Sequence, residues 1–186
     1  MFERALARSG LPVRRTEGFN PRPKITLPLP RSVGVAASDE RLVVEFSKPV
    51  SAGEAQQLLA SRLPEGVQLL DAVLLEDARA CHPRAATYEL RFSPNEAHRM
   101  QTAVDRFLAA ASIPMPRVMP GAGRTRLFDV RPCVQRMECL PDRVRWTQDI
   151  HPDGTAKPAE VLEALGLNGR ACLHRVERTQ VAYGPK

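Results

Sequence analysis

The stretch richest in chemistry is Gly18-Phe19-Asn20-Pro21-Arg22-Pro23-Lys24-Ile25. Two prolines fix its backbone, Gly18 permits an unusual dihedral, and Asn20, standing before proline, prefers an extended conformation. A stiff loop that presents Phe19, Asn20, Arg22 and Lys24, with Arg14 and Arg15 just upstream, sets an aromatic face among cations. A stacked base and its phosphate need that combination. The same loop also suits a structural role, in which Phe19 tucks into the core and the prolines only stiffen the chain. On the residues alone both readings stand.

The remaining candidates are thinner. Cys81, Cys133, Cys139 and Cys172 lie far apart, so neither a zinc knuckle nor an iron–sulfur triplet can be assembled locally. They read as reduced, structural thiols. His82, His98, His151 and His174 are equally scattered, and none belongs to a His-Glu-x-x-His pattern or serves a nucleophile elbow. Asp129 and Arg131, in Asp-Val-Arg-Pro, offer an acid and its guanidinium partner; a structural ion pair at a strand end is the simpler reading. No catalytic residue, metal ligand or cofactor is expected.

The net charge of +6 is unevenly placed. Residues 1–31 carry seven basic and two acidic residues, net +5. Residues 117–145 carry seven arginines, Arg126 and Arg131 among them, against three acids, net +4, and the stretch between is net −3. Brought together, the two basic blocks would make one positive surface for a polyanion. Of the 27 basic residues 23 are arginine, whose planar fork grips phosphate and carboxylate bidentately. An acidic protein partner and the arginine bias of a GC-rich genome are the competing explanations.

At 186 residues the chain suits one medium domain or two small ones. Its apolar and charged fractions, 43% and 26%, exclude wholesale disorder. No apolar run approaches the ~20 residues that cross a bilayer, and the first residues have no apolar core of a signal peptide. A cytoplasmic protein without membrane contact is the expectation.

The elements that would position these residues follow from periodicity. Residues 2–9 read as a short helix stopped at Gly10, 11–16 as a strand, 25–27 as an extended stretch and 41–46 as an alternating strand. Ser51-Ala52-Gly53-Glu54 is a capping box opening a second helix, after which 67–75 reads as a strand. Residues 76–85 read as a linker and 87–92 as a strand. Ser93-Pro94-Asn95-Glu96 opens a third helix, and Pro114, Pro116, Pro120, Gly121 and Gly123 form a long loop. Strands are expected at 125–130, 135–139, 143–147 and 171–181, with a helix from Pro158 before the last. The order predicts an α+β chain of two tandem ferredoxin-like (βαββαβ) halves, residues 1–77 and 84–186, the first lacking its opening strand.

The segment from Phe2-Glu3-Arg4-Ala5-Leu6 through Gly10-Leu11-Pro12-Val13, then Glu17-Gly18-Phe19-Asn20-Pro21-Arg22-Pro23-Lys24-Ile25 and Val33-Gly34-Val35, resembles a radical-SAM-linked domain of unknown function. Asp129-Val130-Arg131-Pro132, Lys157-Pro158-Ala159-Glu160-Val161-Leu162 and Arg175-Val176-Glu177-Arg178-Thr179 resemble its C-terminal half. The resemblance implies a bacterial protein encoded beside, or fused to, a cobalamin-binding radical-SAM protein. That family usually begins with a strand and a Ser-His-Leu-Asp segment before the first helix. This sequence opens within the helix, which predicts an unpaired sheet edge, an aggregation hazard.

Three functions follow. The favoured one is a non-catalytic accessory module that works with a radical-SAM partner by binding RNA through Arg14, Arg15, Phe19, Asn20, Arg22, Lys24, Arg126 and Arg131. The others are a protein-docking module for that partner without nucleic acid, and an RNA-processing or RNA-modifying enzyme. The tandem plan is also like that of RAMP-type CRISPR endonucleases, in fold only.

Overall fold

The structure, a computed structural model, describes residues 1–76, 81–118, 125–151 and 154–184. Pro120, Gly121, Gly123 and Arg124, and residues 77–80 of the linker read at 76–85, lie outside the described residues. The described residues are mixed α+β, with four α-helices and several sheets. The chain divides into two compact units: Met1–Pro28 with Arg41–Cys81, and Leu29–Glu40 with His82–Lys186. Among the described residues no helix is long and apolar enough to cross a membrane.

In the first unit α1, Phe2–Ser9, buries Ala5 and Leu6 and ends at Gly10, whose φ of 76° is the left-handed stop that glycine tolerates. The Ser9 hydroxyl donates to the Leu6 carbonyl and accepts from the Leu11 amide, closing the helix end. Regular strand is scarce here. β1, Ile25–Thr26, pairs antiparallel with β3, Val43–Val44. The strand expected at 11–16 shrinks to single bridges, Val13 to Phe46 and Arg15 to Pro23, because Pro12 has no amide to extend a ladder. α2, Ala52–Ala60, starts where the Ser51 hydroxyl accepts the Glu54 amide.

The strand expected at 67–75 is not a strand. Its apolar residues suit one, but strands exist only in pairs, and no other described segment forms a main-chain ladder with it. The core of this unit is small: Ala5, Leu6, Leu11 and Leu59 are its fully buried members.

The second unit holds β2 (Ala36–Ala37), β4 (His82–Arg91), β7 (Val134–Leu140), β8 (Arg143–Asp149) and β9 (Val176–Gly184) in one sheet, ordered β2-β9-β4-β8-β7. β2 runs parallel to β9, and the other pairs are antiparallel. Between β4 and β7 come α3, Ala97–Ala109, and a hairpin of β5, Pro114–Val118, and β6, Thr125–Asp129. α4, Pro158–Ala164, joins β8 to β9. Three expectations change. β4 begins at His82, inside the stretch read as a linker, and the last strand starts at Val176, after a 3-10 turn at Leu173–Arg175. Pro114–Val118 is a strand rather than loop. Among the described residues it is paired on one side only, and its prolines recur at alternate positions, so their absent amides fall on the free edge.

Alternation sorts the central strand's faces. Ala86, Tyr88 and Leu90 of β4 enter a core with Val144 and Trp146 of β8. Met100, Ala103, Val104 and Phe107 of α3, at helical spacing, and Val161, Leu162 and Leu165 of α4 complete it. Tyr88 and Trp146 stack with ring centroids 5.3 Å apart. The Trp146 indole donates to Gln148, whose amide donates to the Ala156 carbonyl, so both of these buried side chains are bonded. Thr87 and Glu89 of β4, with Arg143, Arg145 and Thr147 of β8, lie on the opposite face.

Candidate functional site

The proline-framed loop is built on paired backbone. The Thr16 amide donates to the Arg22 carbonyl at 2.8 Å, and the Arg22 amide donates to the Thr16 hydroxyl at 3.0 Å. Below them the Lys24 amide donates to Arg14, and Glu45 accepts from Arg14 and donates to Lys24 through its main chain. The chain must turn back between residues 16 and 22, and Gly18, at φ 123°, supplies the conformation that L side chains resist. Phe19 stands at the tip, 104% exposed. The reading in which it tucks into the core is therefore overturned: five residues between paired positions are too few to bring the ring back.

The cations around Phe19 are not equivalent. The Arg14 guanidinium and the Lys24 ammonium both lean on the Glu45 carboxylate, at 3.7 and 3.6 Å. Arg15 donates to the Pro21 carbonyl across the mouth of the loop. The Arg22 side chain, like that of Asn20, is exposed and has no bonded partner among the described residues. Arg22 is thus the cation the loop offers freely, and Arg15 is a second, partly engaged one.

Arg126 and Arg131 belong to the second unit. Arg126 is exposed on β6 with no ion pair among the described residues. Arg131 is spent on structure: it donates to the carbonyls of Val134 and Leu108, lies 5.7 Å from the Phe107 ring centre, and keeps its Nε buried. Asp129 does not bond to the Arg131 guanidinium. Its Oδ1 accepts the amides of Ile113, at 2.8 Å, and Arg131, at 3.1 Å. Burial pushes its carboxyl up, but those amides and the Ser112 hydroxyl hold it below the usual carboxylate range. The carboxylate ties the start of β5 to the end of β6.

A second polar cluster escaped the sequence reading. On the face of the sheet away from the core, Glu89 accepts from Arg143 at 3.0 Å and Arg145 at 2.8 Å. Arg145 also reaches Glu138 at 3.4 Å, and the Thr87 and Thr147 hydroxyls bond at 3.0 Å. Thr87, Arg136, Glu138, Arg145, Thr147 and Gln180 line a shallow depression there. Desolvation raises the Glu89 carboxyl, but the two arginines outweigh it and the net direction is down. The signal was the alternation Arg143-Val144-Arg145-Trp146 opposite Glu89, visible only once the register is known. The arginines are neutralised in place, so the face is a charge-paired surface rather than an open cationic one.

Burial raises the thiols of Cys133 and Cys139, which suits packing rather than nucleophilic use. All four cysteines are free. Among the described residues no three His, Cys, Asp or Glu side chains gather as metal ligands.

Set against known proteins, residues 1–167 match the model of a family described as uncharacterized protein conserved in bacteria (DUF2344). The chain belongs to this family. No curated protein matches it. The DUF2344 match includes the Phe19 loop, both ends of the hairpin and all four helices.

Proposed function

We propose that this DUF2344 chain is a non-catalytic accessory module that binds RNA through the loop at residues 16–22 and serves a radical-SAM partner. The observation that carries the reading is Phe19, wholly exposed on a braced turn with the unengaged Arg22 three residues away. A fully exposed phenylalanine costs solvation, and a stiff tip that offers one beside a free guanidinium is preorganised for stacking on an unpaired base while the cation meets its phosphate. Arg15 extends the same cationic rim. The charge-paired face of the second unit's sheet contributes less. The non-catalytic part of the reading is supported by Asp129, whose carboxylate is committed to main-chain amides. The radical-SAM partner, a cobalamin-binding protein, is drawn from the sequence resemblance alone.

The strand order β9-β4-β8-β7, with α3 and α4 as the two connections, supports reading the second unit as ferredoxin-like, the hairpin β5–β6 inserted and β2 added at the edge. Among the described residues the first unit has only helix, strand, strand and helix, α1-β1-β3-α2, without a closing strand.

Titration with bulk tRNA or rRNA at low salt tests the RNA reading. Binding that weakens steadily as salt rises is expected. No binding, or binding indifferent to salt, would discard it. Co-expression with a cobalamin-binding radical-SAM protein and co-purification test the proposed partner separately.

A further inference from the structure

We infer, on the RNA reading of the Phe19 loop, that Glu45 withholds Arg14 and Lys24 from nucleic-acid phosphates, so that the loop answers to an unpaired base rather than to the charge of a duplex. A closed ring of main-chain bonds sets the geometry. The Arg14 amide donates to the Glu45 carbonyl at 2.8 Å, the Glu45 amide to the Lys24 carbonyl at 3.1 Å, and the Lys24 amide to the Arg14 carbonyl at 2.8 Å. Each residue is thereby locked to the other two, and the three side chains start from one patch of backbone. A single oxygen, Glu45 Oε2, serves both cations, 3.7 Å from Arg14 and 3.6 Å from Lys24.

The three side chains are 35–56% exposed, and ion pairs this open and this long contribute little to stability. Their effect falls on what approaches. A phosphate that reaches for either cation also meets a carboxylate whose position the main chain fixes, a repulsive element against the wrong ligand. With Arg14 and Lys24 neutralised, the uncommitted cation is Arg22, while Arg15 is bonded to the Pro21 carbonyl. Glu17, the loop's own acid, makes no ion pair among the described residues. One free guanidinium beside one exposed ring suits one nucleotide, its base on Phe19 and its phosphate on Arg22. A duplex hides its base faces and binds through phosphates packed more densely than those of a single strand, so it needs the cations that Glu45 holds.

The test measures anisotropy of two labelled probes, oligouridylate and a blunt-ended RNA duplex, over a salt series on the full-length chain. The unsubstituted chain should prefer oligouridylate by about tenfold, the worth of one stacked base. Glu45→Gln should bind the duplex about tenfold more tightly, with a salt slope steeper by about two units, one for each cation released. Its gain on oligouridylate should be smaller, narrowing the preference, and its melting temperature should not move. Glu54→Gln removes an acid of the same unit that makes no ion pair among the described residues, and it should change neither affinity nor slope. An unchanged duplex affinity in Glu45→Gln, an equal gain in Glu54→Gln, or an equal gain on both probes would each overturn the inference. An unsubstituted chain that binds neither probe would discard the RNA reading. A duplex gain confined to Glu45→Gln would even then sustain Glu45 as the group that withholds the two cations, so the two fail separately.

Discussion

Arg178 of β9, 1% exposed, donates to the main-chain carbonyl of Leu29 at 2.8 Å, a residue 149 positions earlier. Its other terminal nitrogen holds Glu40 at 3.1 Å. One buried guanidinium thereby fastens both ends of the excursion Leu29–Glu40. The Ser38 amide bonding to the Arg178 carbonyl and the Val181 amide bonding to Asp39 fasten its return. Tyr88 lies alongside; burial pushes its hydroxyl up, against the lowering pull of Arg178.

Arg178→Met should therefore cost about 2–3 kcal/mol, read as a lower urea midpoint. That is below the usual cost of halving a buried pair, because Glu40 is partly solvated and keeps Arg31 at 3.6 Å. Glu40→Gln, which retains an acceptor but leaves the buried Arg178 charge without its counter-ion, should cost about as much.

Glu96 gives the chain a pH dependence of known sign. Its carboxylate accepts the Ser93 amide and hydroxyl and meets Arg175 at 2.8 Å. The Ser93 amide first, then Arg175, hold it down to about 2 from an ordinary 4.5. A depressed acid stabilises the fold fully above its unfolded value, and that stability is lost as pH falls toward the folded one. Glu96→Gln should lower stability by about 1 kcal/mol at neutral pH, the partly solvated setting discounting the full shift. The melting temperatures of the two proteins should converge between pH 4.5 and 2.

Phe19→Ala should leave thermal stability unchanged within about 0.5 kcal/mol, since the ring touches nothing. It should weaken RNA about tenfold, the worth of one stacked base, in fluorescence anisotropy. Arg22→Ala should lower the salt slope by about one unit.

Asp129→Ala should cost about 2 kcal/mol by orphaning the Ile113 and Arg131 amides, and Asp129→Asn less, because Oδ1 can stay as acceptor. Neither should alter RNA affinity. Loss of an RNA-processing activity in Asp129→Asn without loss of stability would make this residue a catalyst instead.

Local signals were legible in the residues; signals that need a partner were not. Ser51 and Ser93 opened helices as their spacing predicts, because a cap is satisfied within one turn. Gly10 ended α1 for the same reason. Leu70 and Val73 read as strand residues, and the composition is right, but pairing is a property of two segments. Pro114 and Pro116 read as loop because their amides are missing, which a free edge does not need. Arg131 read as a surface cation because nothing local shows that Phe107 and the Leu108 carbonyl await it. The Phe19 loop was legible as a stiff turn, while the direction of its ring depended on how short the braced turn is.

The excursion Leu29–Glu40 also bears on synthesis. The residues of β2, Ala36–Ala37, leave the ribosome long before those of β9, Val176–Gly184, with which they pair. The sheet's edge must wait, already made and unsatisfied, until β9 has emerged. Closure of the second unit is consequently an event of high contact order, and a chain stalled or cut before β9 would carry residues 29–40 as an unclaimed loop.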